Sequence, residues 1–263
     1  MDKIKTIISK EWAEVFQNRM VLFSVIFMPL TFAALPLFML YAMRSSGAGS
    51  VDVGSVPQAF LSGCAEGLST GECFQVYFVT QFMLLFMLTP LIVPVNIAAY
   101  SVAGEKTTRS LEPLLATPIT TAELLAGKNL AAVIPAVLAT WLSFLIFGVG
   151  ARILIANARV LSALFNPMWW VAILVVGPLL SVLSTNFSLM VSSRVNDPRV
   201  AEQLSSVIML PLLVLFFGQI AGYVSLNANL MILLALALLA VDALMVYLAI
   251  QLFQRETILT RWK

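Results

Sequence analysis

LMILLALALLAVDALMVYLAIQLF, residues Leu230–Phe253, carries one charged residue, Asp242, and only Tyr247 and Gln251 otherwise interrupt its apolar character. Wound as a helix, it is apolar on every side, which a helix on a soluble domain is not. About 20 such residues, rising 1.5 Å each, cover the ~30 Å hydrocarbon core of a bilayer. Five more runs repeat the pattern: Met20–Met43, Phe74–Ala103, Asn129–Gly150, Met168–Ser192 and Val200–Tyr223. Their even spacing leaves no room for a soluble domain. The expected fold is an all-α membrane protein, a single transmembrane domain over residues 1–263 with six transmembrane helices.

Composition points the same way. Of 263 residues, 60% are apolar and 11% charged, against about half and about a quarter in soluble domains. A water-soluble protein, a disordered chain and a nucleic-acid binder are excluded. The absence of His excludes His-ligated metals and His-based triads. Two cysteines cannot build a four-thiolate zinc site. No catalytic residue and no metal site are expected.

Lys and Arg set the orientation. One side collects Lys3, Lys5, Lys10, Arg19, Lys106, Arg109, Lys128, Arg194, Arg199, Arg255, Arg261 and Lys263; the other has Arg44, Arg152 and Arg159. Twelve lie on one side against three on the other, a distribution that alternates correctly over six spans. Both termini are expected in the cytoplasm, with Trp169 and Trp170 at the outer interface. The first run is too long, and its acidic flank too polar, for a cleaved signal peptide. Before it, Ile4, Ile7, Ile8, Trp12, Val15 and Phe16 recur at helical spacing. They predict an amphipathic helix over residues 1–18, resting in the membrane interface; the alternative is a cytosolic extension.

The outward loop Arg44–Cys73 holds Cys64 and Cys73. A disulfide between them would persist outside the cytoplasm; two free thiols are the alternative. Ala151–Phe165 reads as a short interfacial helix with Arg152 and Arg159 on one face.

The longest charged cytoplasmic connection joins spans two and three. Ser110 can cap a short helix with Pro113 in its first turn. Thr117-Pro118 ends it. Thr120 and Glu123 form a capping box that starts the next helix. The loop displays Leu111, Leu114, Leu115 and Ile119 beside Glu105, Arg109 and Glu112. Apolar knobs ringed by charges suit a protein-docking surface.

Here the chain resembles the permease subunits of ABC-2-type ATP-binding-cassette transporters. The residues that carry the likeness are Gly104-Glu105-Lys106, Arg109-Ser110-Leu111-Glu112, Leu114-Leu115-Ala116-Thr117-Pro118 and Glu123-Leu124-Leu125-Ala126-Gly127-Lys128. Arg109 stands where many relatives have Gly. The resemblance implies a coupling helix between spans 2 and 3, with Glu105, Arg109, Leu111, Glu112, Pro113, Leu114, Leu115, Thr117 and Pro118 docking a separate ATPase. It implies two ATPase subunits that bind ATP and Mg, a second permease subunit in a homo- or heterodimer, and a place in the cytoplasmic (inner) membrane. The chain is then an exporter subunit and no enzyme by itself. Gly104-Glu105-Lys106-Thr107 is no phosphate loop, since a Walker A needs G-x-x-x-x-G-K-S/T after a strand.

Polar residues within the spans are candidates for a pathway: Gln81, Asn96 and Tyr100 in span two, Asn186 in span four, Gln203 and Gln219 in span five, and Asp242 in span six. Pro90 and Pro94 kink span two; Gly177-Pro178 breaks span four. An Asp at mid-bilayer costs about 2.5–3.5 kcal/mol on insertion scales and must face the protein. It serves either an ion, substrate or proton, or a structural hydrogen bond. The competing function is a stand-alone secondary transporter or channel with Asp242 coupling an ion. That class usually carries an internal repeat, and the two three-span halves show none.

Overall fold

The computed structural model describes residues 2–45, 68–107, 119–221, 223–224 and 226–253. Among these, all regular structure is helical. Helix α1 (Asp2–Gln17) precedes α2 (Arg19–Ser45). Helices α3 (Thr70–Leu85) and α4 (Thr89–Thr107) run on through one 3₁₀ turn. Then come α5 (Thr121–Leu154), α6 (Ala158–Leu164), α7 (Pro167–Val171) and α8 (Gly177–Ser192), the last two joined by a π turn at Ala172–Val176. Helices α9 (Pro198–Ser205), α10 (Leu210–Ile220) and α11 (Ala228–Leu252) are the last of the described elements.

Among the described residues, six stretches are long and apolar enough to cross a membrane: Val21–Arg44, Gly71–Thr107, Thr121–Leu154, Ala158–Ser192, Pro198–Ile220 and Ala228–Leu252. Spans two and four form the centre. Of the most apolar window in each span, 83% is buried in span two but only 11% in span six. The outer helices present Leu, Phe and Val to the surroundings, as lipid-facing surfaces do.

Five of the prolines inside the spans, Pro90, Pro94, Pro135, Pro178 and Pro211, withhold backbone donors whose loss is answered nearby, and in a bilayer no water replaces them. The structure supplies each carbonyl another way. At Pro90 and Pro211 the helix tightens to 3₁₀: Thr89 N–H donates to Phe86 O, and Leu210 N–H to Val207 O. At Pro94 the freed Pro90 carbonyl lies 3.3 Å from the Ser184 hydroxyl on α8. At Pro135 the freed Ala131 carbonyl accepts the Trp12 indole N–H at 3.0 Å. At Pro178 the helix widens to a π turn, Gly177 N–H donates to Ala172 O, and the Trp141 indole takes Ile173 O at 3.2 Å. Ser188 and Ser192 continue the seam, donating to Val95 O and Ala98 O of α4. Polar side chains thus join spans two and four where lipid would leave backbone groups unsatisfied.

The capping box at Thr120 and Glu123 forms as expected. A second, at Ser69 and Glu72, starts α3. Two expectations are corrected. Arg152 ends α5 and Arg159 begins α6, so they do not share a helical face; Ile155 turns extended between them and Asn157 caps the new helix. Trp169 is buried in the core, and Trp170 alone of the pair is exposed. The reason is packing: α7 lays Trp169 into the main apolar cluster with Phe86, Phe147, Leu164 and Ile173.

Candidate functional site

Helix α1 does not lie alone. Ile7 and Val15 are buried, with Ile4, Ile8 and Trp12 half-buried beside them. Glu11 sits at the centre of this stripe and is only 2% exposed. The helix packs against α5, and the contact requires Gly127. A Cβ there would stand 2.7 Å from Ile7 Cγ2 and 2.9 Å from Ile7 Cβ. The Trp12 bond to Ala131 O fastens the next turn.

At this contact a lysine is fully buried. Lys128 Nζ lies 2.6 Å from Glu11 Oε1, 3.0 Å from Glu105 Oε2, 2.7 Å from Ser101 Oγ and 3.3 Å from Ser101 O. Its side chain is 0% exposed, and those of Glu11 and Glu105 3% and 2%. Lys10 pairs with the other oxygen of Glu105 and with Glu14 at 3.2 Å. Two buried carboxylates therefore face two ammonium groups. Burying an ion costs several kcal/mol, and only a well-placed, hydrogen-bonded partner offsets this. Burial would lower the Lys10 pKa, but the hydrogen bond and charge of Glu105, with the charges of Glu11 and Glu14, raise it above the ordinary lysine value.

The next residue faces the other way. Lys106 Nζ reaches Ser192 O at 3.2 Å, Ser193 O, and Val195 O at 3.3 Å. A cation on the last carbonyls of α8 satisfies groups that a helix end leaves open. Glu105 thus ties span two to α1 and span three, and Lys106 ties it to span four. Asn129, beside Lys128, donates to Asn186 Oδ1 at 2.9 Å and closes the circuit between spans three and four. The outlying pair Lys3–Glu123, at 3.6 Å and part-exposed, adds little.

The segment 108–118 lies outside the described residues, and with it Arg109, Leu111, Glu112, Pro113, Leu114, Leu115, Thr117 and Pro118. Its two flanks are described, and both enter the ion cluster. A family model described as ABC-2 family transporter protein matches residues 5–234. The chain belongs to that family. Among curated proteins none matches it. Membrane subunits of the ABC-2 family generally work with ATPase partners, and this one is an integral membrane protein with six apolar helices.

In this ABC-2 protein Glu105, expected at the docking surface, is buried and turned to Lys128 and Lys10. The pathway candidates scatter, and among the described residues no hydrogen bond joins any two of them. Gln81 is buried with both amide atoms unpartnered. Asn96 is buried, Tyr100 packs against the Val93–Ala136 cluster, and Asn186 serves the Asn129 contact. Gln203 is exposed, and Gln219 half-buried with its Oε1 unpartnered. Asp242 is 6% exposed and neither carboxylate oxygen has a hydrogen-bond partner. Cys73 lies in the first turn of α3; Cys64, its expected partner, lies outside the described residues.

Sequence reasoning missed Glu11, Lys10, Ser101 and Lys128 as site residues. For Glu11 a signal existed. Ile4, Ile7, Ile8, Glu11, Trp12 and Val15 follow one helical stripe, and an ionised carboxylate inside an apolar stripe calls for a charged or hydrogen-bonding partner.

Proposed function

We propose that this chain is the passive membrane subunit of an ABC exporter, driven by ATP hydrolysis in separate ATPase subunits that dock on the 108–118 segment. Two ATPase subunits, holding ATP and Mg, and a second permease subunit complete the assembly in the inner membrane, with both termini and the docking segment cytoplasmic. The observation that carries this reading is the buried cluster Glu11–Lys128–Glu105–Lys10. It ties both flanks of the docking segment to each other and to α1. A push on the segment therefore cannot be absorbed by splaying two helix ends. It moves α1 and spans two and three together, and Lys106 passes it to span four.

The test is purification of the tagged chain from native membranes in mild detergent. An ATPase bearing G-x-x-x-x-G-K-S/T co-purifies with the wild type. Glu112→Lys and Leu114→Asp lose it while still inserting. Lys128→Met retains the ATPase and loses transport. Failure to recover any ATPase with the folded wild-type chain overturns the reading.

A second reading rests on Asp242, buried with both oxygens unpartnered. It makes the chain an ion-coupled carrier. Transport that survives ATP depletion, follows an ion gradient and vanishes in Asp242→Asn supports it; transport that stops with ATP rejects it.

A further inference from the structure

At the end of the bundle away from the ion cluster, spans three and four part to leave a groove of about 390 Å³. Trp141, Leu145 and Gly148 of α5 form one wall, and Phe165, Trp170 and Leu174 the other. Each wall has an anchored indole. Trp141 is held by its bond to Ile173 O, and Trp170 stacks edge-on to Phe144 at 5.8 Å. Gly148 opens the floor, because a side chain there would project against the Phe165 ring. Leu145, Trp170 and Leu174 are exposed at the mouth, on the face that lipid surrounds.

Trp141, Leu145, Gly148 and Arg152 follow one helical stripe, at i, i+4, i+7 and i+11. At 1.5 Å per residue they span roughly 16 Å, the depth of one leaflet's hydrocarbon. Arg152 is exposed at the open end of α5. Among the described residues it forms no ion pair. A guanidinium binds a phosphate through parallel N–H donors. An apolar slot one leaflet deep with a cation above it has the charge and shape of one lipid molecule.

We propose that this groove is a binding site for an anionic glycerophospholipid, one acyl chain lying along Trp141–Gly148 and the phosphate on Arg152. The occupant stiffens the seam between spans three and four, where among the described residues no ion pair does so.

The experiment uses the full chain in phosphatidylcholine nanodiscs doped with a phosphatidylglycerol that carries a diazirine midway along one acyl chain. After photolysis, the label concentrates in Trp141–Val149 and Trp170–Leu174, about tenfold above the exposed face of span six, Leu233–Leu244. Arg152→Gln, a change at an exposed residue, lowers that ratio toward unity. Gly148→Leu fills the slot and abolishes the enrichment. Even labelling of all exposed spans overturns the proposal, as does enrichment indifferent to Arg152→Gln. Cross-linking of a Leu145→Cys variant to a second copy overturns it as well, by assigning the groove to a subunit contact.

Discussion

The two ends of span three are held by different physics. At Lys128 the helix is fixed by directional, charged bonds to α1 and span two. At the other end Phe144 and Phe147 are fixed by rings: Phe86, Phe165 and Trp170 stand 5.5–6.0 Å from them. Charged contacts lock a set of helices into one unit, because any shift leaves a buried ion unpaired. Ring contacts are non-directional in comparison; they tolerate exchange at constant volume. The stiff end is the one that flanks the segment 108–118, where we propose that an ATPase docks, and a part that transmits force to the spans would need that stiffness.

The strongest challenge to this contrast is Lys128→Met. It strands Glu11 and Glu105 in the interior and should cost about 3–5 kcal/mol, read as a lowered midpoint of thermal unfolding in detergent. Adding Glu11→Gln and Glu105→Gln should restore much of the stability without restoring transport. A loss near zero for the single variant would show that the cluster does not hold the helices. Gly127→Ala comes next. Its Cβ collides with the Ile7 branch point rather than a flexible tip, so roughly 1–3 kcal/mol is expected, with cysteine cross-linking between α1 and α5 weakened.

At the aromatic end, Phe147→Leu should cost less than about 1.5 kcal/mol by the same unfolding measurement. A loss matching Lys128→Met would erase the distinction between the ends. The smallest effect belongs to Lys10, which is part-exposed. Lys10→Met should cost about 1 kcal/mol or less. Because its folded pKa lies above the ordinary 10.5, the contribution is full below that value and fades as pH rises through the folded pKa. The wild-type and variant unfolding midpoints should therefore converge only in strong alkali; convergence near neutrality would contradict the pairing with Glu105.

Much was legible because it is local. Apolar runs declare spans wherever water is absent, and the Thr120–Glu123 box places the start of α5 to the residue. Arg152 and Arg159 misled because a seven-residue spacing says nothing about the extended Ile155 between them. Glu105 misled more instructively. Beside other charges in a charged loop it reads as a surface residue, yet it is an interior anchor.

The sequence by itself determined that this chain has six helices apolar and long enough to span a membrane, and that Pro90, Pro94 and Gly177-Pro178 must distort two of them. Those follow from hydropathy, length and the missing proline N–H, all properties of neighbours in the chain. Only the tertiary structure decided which polar groups then pair. Trp12 is 119 residues from Ala131 O, Ser184 94 from Pro90 O, and Lys128 117 from Glu11. A buried polar group must be satisfied, but the partner is whichever side chain packing delivers, and no local rule ranks partners so far apart.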